Sequence, residues 1–444
     1  MSYCKKVIIW FAGVALGLGS ASASAQGEQF VPLLSYRVGA YAAGGSGIFG
    51  GYIDYMNYVN MKDGGINGVK LSWAECETEY NNSRGVECYE RLKKSGSGAT
   101  LVQPLSTGIT YSLIDRVAAD KIPMVTIGYG RTDAADGRVF PWVFPIITTY
   151  WSQASAMVKY IATKEGGEDK LKGKKIVHLY HDSAYGKEPI GVFETYAKKL
   201  GFEFSAIAVP HPGNEQQSQW LQIRQIKPDY VILWGWGVMN PTSLKAAARI
   251  GYPSSKIIGV WWAGSEEDVI PAGSSAKGYT TAVFNVAGPQ LPLVQDINRV
   301  VYSKGRGNME DVSRVGSVYH VRGLVHGIIT VEAIRKAQER YGKGKVMTAE
   351  QVRWGLENLD LDEARLKALN ASGMMPPLKM SCADHEGSGL VKFQTWDGNK
   401  WNIVTPDWVV PDKAMLRTMI EESASKYAKE KNITPRDCSK ELQG

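Results

Sequence analysis

Short apolar runs along the chain alternate with segments in which apolar residues return every three or four positions. The runs at 37–40, 69–73, 99–102 and 123–127 have the length and boundaries of strands, and the segments 50–61, 83–94 and 107–120 between them have the helical period. Repeated strand–helix units of this kind build a parallel sheet covered by helices on both faces, with ligands gathering at the carboxyl ends of the strands. The rhythm breaks across 138–145, where Pro141 and Pro145 interrupt an extended apolar run. It resumes with a helix whose apolar face is Trp151, Ala154, Val158 and Ile161, followed by strands at 175–180, 204–209, 230–234 and 256–261. A second sheet of the same type is the economical reading, and two such lobes joined by an extended crossover leave a cleft between them. After an extended run at 278–286 and a segment at 293–304, residues 315–341 place Val318, Val321, Val325, Ile328, Ile329 and Ala333 on one helical face. Runs at 390–394 and 400–404 flank Asp397-Gly398-Asn399, a hairpin signal, and 413–429 reads as a terminal amphipathic helix.

Within the first lobe, the stretch 101–110 reads as strand, tight loop and helix start. The apolar run stops at Pro104, Ser106, Thr107 and Gly108 follow, and apolar positions recur at Ile109, Leu113 and Val117. Free amides at such an end, beside two hydroxyls, make a seat for a carboxylate. Plain N-capping by Ser106 or Thr107 is the alternative.

The length of 444 residues argues for two domains, and 44% hydrophobic with 21% charged residues excludes a mostly disordered chain. Lys5 and Lys6, an apolar run from Val7 to Leu18 and Ala23-Ser24-Ala25 make residues 1–25 a secretory signal peptide, too short to span a bilayer. The net charge of +7 is spread along the chain without a basic block, which gives no argument for nucleic acid. Four cysteines follow the signal: Cys76, Cys88, Cys382 and Cys438. In an exported protein, closeness in sequence favours Cys76–Cys88 and Cys382–Cys438 among three connectivities, with free buried thiols as the alternative.

Asp63-Gly64-Gly65-Ile66-Asn67-Gly68, Pro104-Leu105-Ser106-Thr107-Gly108, His181-Asp182-Ser183-Ala184-Tyr185-Gly186 and Trp396-Asp397-Gly398 follow one another in an order and spacing that resembles the type I periplasmic solute-binding proteins, in particular the branched-chain amino-acid-binding group of ABC importers. The resemblance implies an α/β fold of two doubly wound parallel-sheet lobes joined by three crossovers, a Venus-flytrap closing on a small molecule. Breaks near Pro145, Gly288 and Gly373 suit that count. They divide the chain into a first lobe of 26–144 plus 288–372 and a second of 145–287 plus 373–444. The implied role is periplasmic capture of a ligand for permease subunits in the inner membrane, by a monomer that catalyses nothing and needs no cofactor or metal.

The resemblance places Ser106, Thr107, Tyr129 and Arg131 on the ligand's carboxylate side, and Tyr185, Trp236 and Met239 across the cleft; Phe49 comes from the loop the family sets against the ligand. One departure matters. Amino-acid binders of the group carry an acid where Met239 or Asn240 stands here, so a free α-ammonium is disfavoured unless Glu266, Glu267 or Asp268 reaches in. The candidate wall is instead aromatic (Tyr41, Phe49, Tyr129, Tyr185, Trp234, Trp236, Trp261, Trp262), which fits an aromatic or apolar carboxylate, with Arg131 as a bidentate grip if it faces inward. A branched-chain amino acid or amide, and a sensing module for a membrane receptor, are the alternatives.

Other motifs carry less. Gly45-Ser46-Gly47-Ile48-Phe49-Gly50 satisfies G-x-G-x-x-G, yet no acidic residue stands about twenty positions on, which disfavours a dinucleotide enzyme. His178 and His181 point to opposite faces of a strand, and His320 and His326 stand too far round a helix to share an ion. Asp182 reads as the cap of a helix near Tyr185. Glu75, Glu77 and Glu79 read as a solvated strand end.

Overall fold

The computed structural model describes residues 27–441, so the expected signal peptide at 1–25 lies outside the described residues. The first strand, β1 (Gln29–Ser35), is buried at every position. It precedes the expected run at 37–40, which is instead the turn into the helix Ala42–Lys62. A strand covered on both faces shows no alternation, and Pro32 inside it argues against a strand at sight. β2 (Leu71–Glu77) pairs with β1 in parallel. The run at 99–102 contributes no full strand, only parallel bridges from Gln103 to Leu33 and from Val102 to Met124. β3 (Met124–Val125) then pairs in parallel with β4 (Val143–Phe144). The first lobe's sheet is thus continuous but held at its centre by single bridges.

The second sheet is regular. β5 (Lys175–His181), β6 (Glu203–Val209), β7 (Tyr230–Trp234), β8 (Ile257–Gly259) and β9 (Thr280–Val283) lie parallel in the order β6-β5-β7-β8-β9. A short antiparallel pair, β10 (Asp360–Leu361) with β11 (Leu378–Lys379), precedes the hairpin of β12 (Lys392–Trp396) and β13 (Trp401–Ile403), which extends this sheet past β9. At the hairpin's turn the Asp397 carboxylate accepts the Asn399 and Lys400 amides at 2.8 and 2.9 Å, as the sequence signal implies.

The helix Val318–Tyr341 packs along Ala42–Lys62 backbone to backbone. A Cβ on Gly51 would lie 2.0 Å from the His320 carbonyl, and one on Gly45 1.8 Å from the Tyr36 carbonyl. The glycine-rich motif is therefore a packing device inside a helix that starts at Ala42, well before the expected 50.

Three crossings lie side by side. Ile147 N–H donates to Glu386 O at 2.9 Å, Gly389 N–H to Ile147 O at 2.6 Å, and Val286 N–H to Met374 O at 2.8 Å. Both cysteine pairs favoured by the sequence are disulfides, with Cα–Cα separations of 5.6 and 5.8 Å. The tail differs from the expected division. The helix Lys413–Lys431 starts beside Ser155 of the second lobe, then runs onto the first, where Tyr427 stacks on Phe140 at 4.7 Å and Lys431 pairs with Asp115 at 2.8 Å. An amphipathic stripe shows that a helix has a partner; it does not say which lobe supplies it.

Candidate functional site

Two helix starts, one from each lobe, face each other across the cleft. In Thr107–Asp120, the Ser106 hydroxyl accepts the Ile109 amide at 3.4 Å, so Ser106 is the N-cap and Thr107 is left to face outward. The Thr107 hydroxyl lies 3.2 Å from the Tyr150 hydroxyl. Tyr150 opens the helix Tyr150–Glu165, capped by Thr149, whose hydroxyl accepts the Ser152 amide at 3.2 Å. First-turn amides have no intrahelical acceptor, so both ends carry partial positive charge toward the same space. Leu105 reaches this turn at φ 52°, a left-handed conformation costly for a non-glycine residue, with its amide donating to the Tyr129 hydroxyl at 2.6 Å.

Between these ends lies a narrow cavity lined by Tyr80, Leu105, Ser106, Thr107, Tyr129, Tyr150, Tyr185, Trp236 and Trp262. The lobes are closed over it: Thr107 and Trp236 are each 3% exposed and Tyr185 6%. The Tyr185 hydroxyl donates to Gly235 O at 2.8 Å, and Trp262 Nε1 donates to the Tyr150 hydroxyl at 3.1 Å. Trp236 stacks on Tyr41 with 5.8 Å between centroids and meets Trp262 edge-on at 4.7 Å. Burial raises the Tyr129, Tyr150 and Tyr185 hydroxyls above their usual range, so all three stay protonated.

Of the eight residues singled out in the sequence, Ser106, Thr107, Tyr129, Tyr185 and Trp236 share this lining, while Arg131, Met239 and Phe49 do not. Arg131 turns away because Asp133, two residues on, offers a bidentate partner (2.5 and 2.9 Å) and Tyr427 a ring at 4.4 Å. Met239 packs behind the cleft against Gly213, where an added Cβ would lie 2.5 Å from its own. Phe49 sits behind Tyr36, edge-on at 5.6 Å. Tyr80 and Tyr150 escaped notice. Tyr80 occupies a turn at φ 59° that no glycine announces, and Tyr150 stands one residue before the helical face that the apolar period marks. The doubled Thr148-Thr149 ahead of Tyr150 was the available capping signal.

No acidic side chain lines the cavity. Asp268 is buried behind Asn240, whose amide donates to it at 2.8 Å, and also accepts the Ser265 amide and hydroxyl at 2.8 and 2.7 Å; burial pushes its carboxyl up to about 7. Glu266 accepts the Val318 amide at 3.1 Å, and Glu267 pairs with Arg314 at 2.6 Å. Asp182 pairs with Lys187 at 2.7 Å and caps nothing, since Ser183 holds the N-cap position of Ala184–Lys187. Behind Trp262 lies a residue that the sequence reading did not single out. Arg322 is fully buried, its guanidinium 4.1 Å from the Trp261 ring centre and 5.5 Å from that of Trp262. Its Nη2 donates to Trp261 O, while Nε and Nη1 have no partner. Burial pulls its pKa down to about 10. Glu188 bridges the lobes, accepting from the Thr132 amide at 2.7 Å and the Tyr111 hydroxyl at 3.0 Å; burial pushes it up to about 7.

The family model described as periplasmic binding protein matches residues 28–400. A solved structure from the Pseudomonas fluorescens group, described as an ABC transporter permease, is 49% identical over 93% of this chain and all of its own, with a TM-score of 0.87. A branched-chain amino acid ABC transporter protein from Thermus thermophilus, with bound valine, is 21% identical over 88% of this chain and 99% of its own (TM-score 0.73). A solute-binding protein from R. palustris in complex with benzoate is 19% identical over 87% and 97% (TM-score 0.66). Among curated proteins none matches. Among the described residues no helix is long and apolar enough to cross a membrane.

Proposed function

We infer the function from membership: the chain belongs to the periplasmic binding protein family, a class of solute-binding proteins, and we propose that it captures a small aromatic or apolar carboxylate for an ABC importer. The observation that carries this reading is the lining of the interlobe cavity, six aromatic rings and no charged side chain, with two helix starts at its polar end. In this reading the carboxylate lies against the first-turn amides and the Ser106 and Thr107 hydroxyls, and Tyr129, Tyr185, Trp236 and Trp262 enclose the rest. Behind Trp262, Arg322 has two nitrogens that donate to nothing, and the acids Asp268, Glu266 and Glu267 act on it only at a distance, which favours an anion over a zwitterion. An amino-acid ammonium has no carboxylate to meet in the lining, and an unpaired buried charge costs about 3–5 kcal/mol. The space enclosed by these side chains is narrow in the closed form, so the guest is small. Periplasmic residence, work as a monomer and delivery to inner-membrane permease subunits complete the proposal.

The relatives with valine and with benzoate mark the two chemistries to be compared. Benzoates, cinnamates, short aliphatic acids and amino acids are to be screened by thermal shift. A ligand at a hundredfold excess over Kd raises stability by about 2.7 kcal/mol. Aromatic carboxylates should lead; leucine or valine outranking every aromatic acid would overturn the ligand class.

A further inference from the structure

We propose that Tyr41, His181 and His211 form a binding site for one divalent transition cation of the zinc class, bridging the two lobes at the rim of the cleft. Tyr41 comes from the first lobe, just ahead of Ala42–Lys62. The histidines come from neighbouring strand ends of the second: His181 pairs in register with Val209, and His211 stands two residues beyond it. Three donor atoms converge there. The Tyr41 hydroxyl lies 2.6 Å from His211 Nδ1 and 3.1 Å from His181 Nε2, and the two ring nitrogens are 3.2 Å apart.

For a tetrahedral cation with ligands at about 2.0–2.1 Å, the edges between ligand atoms measure about 3.3–3.4 Å. Two of the three observed edges lie within a few tenths of an ångström of that value, and the shortest must widen by about 0.7 Å. The tautomer is also suited. His181 Nδ1 lies 3.0 Å from the Ser183 hydroxyl, so with its proton held there the Nε2 lone pair is left toward the centre, the usual outer-shell arrangement of a metal-bound imidazole. Access is open, because His211 is exposed in a surface groove with Pro210, Pro212, Asn214 and Glu215. A cation taking these atoms displaces the hydrogen bonds among them and releases the phenolic proton to solvent, with water filling the fourth position. Imidazole and phenolate donors suit zinc and copper and leave magnesium in water. Among the described residues no three His, Cys, Asp or Glu side chains gather into such a set. The phenol is what completes this one, and it makes the site depend on closure.

The test uses the full chain stripped with a chelator and titrated calorimetrically with Zn²⁺ alone, with Co²⁺ absorption as a second readout. One Zn²⁺ per chain is expected, removed again by chelator, with no response to Mg²⁺. His211→Ala, at an exposed position, should lose binding without loss of fold, and Ser183→Ala should weaken it about tenfold. Tyr41→Phe should weaken it and abolish any Zn²⁺-dependent contraction seen by small-angle scattering. No bound Zn²⁺ in the wild type, or unchanged affinity in His211→Ala, would overturn the site; wild-type affinity and contraction in Tyr41→Phe would overturn the bridge.

Discussion

Arg131 ends the 128–131 loop and Arg322 backs the tryptophan pair Trp261–Trp262, and each has a buried carboxyl nearby that is pushed up to about 7, Glu188 in one case and Asp268 in the other. Their surroundings differ in one respect. Arg131 has a fixed counter-charge in Asp133 and ring faces from Tyr427 and Phe140, so every strong interaction open to it is already made. Arg322 has ring faces and a carbonyl, two of its nitrogens have no acceptor, and Asp268, Glu266 and Glu267 reach it only through space, with no hydrogen-bonded ion pair. A paired cation is a structural element, whereas an unpaired one inside a low-dielectric wall responds to whatever charge enters the neighbouring space. Arg131 stands at a cleft loop in sequence and Arg322 does not, yet it is the carboxylate two residues from Arg131 that takes it out of the cavity.

The comparison breaks most readily at Arg322. Arg322→Met should weaken binding of a carboxylate ligand about tenfold, since at an effective dielectric of about 20 two charges within roughly 12 Å of each other interact by at least about 1.4 kcal/mol. Because the change also removes two unsatisfied donors, the unfolding free energy of the unliganded protein should hold or rise; calorimetric affinity and urea melts check both. Arg131→Ala should do the reverse, costing about 1–2 kcal/mol of stability through the lost partly exposed pair and ring contacts while leaving ligand affinity within about twofold. Thr107→Ala should cost about 1 kcal/mol in binding, about fivefold in Kd, with an unchanged melting temperature.

The smallest effect concerns pH. Glu188 and Asp268 have folded pKa values raised to about 7 by burial, so between their ordinary range and pH 7 the folded chain holds more protons than the unfolded one. Their contribution to stability is full at acidic pH and is lost as pH rises through about 7. His178, His181 and His326, held neutral by burial, act in the opposite sense below about pH 6.5, so the readout is a difference: between pH 5 and pH 7 thermal melts of Glu188→Gln should lose less stability with rising pH than those of the wild type. An unchanged slope in that variant would remove Glu188 from the account.

The second lobe was legible because its strands are apolar runs ended by clear breaks: β7 falls where expected, and β5 and β6 each within one residue. In the first lobe β1 was not legible, since a strand buried at all seven positions has no alternating face. The helix at 107–120 was found to the residue, because a capping hydroxyl and a regular apolar stripe mark it. With it Ser106 and Thr107 fall in the cavity lining. Met239 and Phe49 failed because both were read as cleft loops: Phe49 lies inside Ala42–Lys62 and Met239 opens the helix Met239–Arg249, each with its side chain packed behind the cleft. Tyr80 and Arg322 enter through a glycine-free left-handed turn and the second turn of a long helix, neither of which leaves a local trace in composition or period, whereas Tyr150 had the Thr148-Thr149 cap ahead of it.

The opposed helix starts at Thr107 and Tyr150 have a consequence for timing in transport. Bringing two electropositive ends together with nothing between them is uphill, so an empty receptor spends less time shut than a loaded one. An anion turns that repulsion into a shared attraction, and the shut form becomes a report of cargo. A permease that engages only the shut form would then be spared fruitless cycles of ATP hydrolysis.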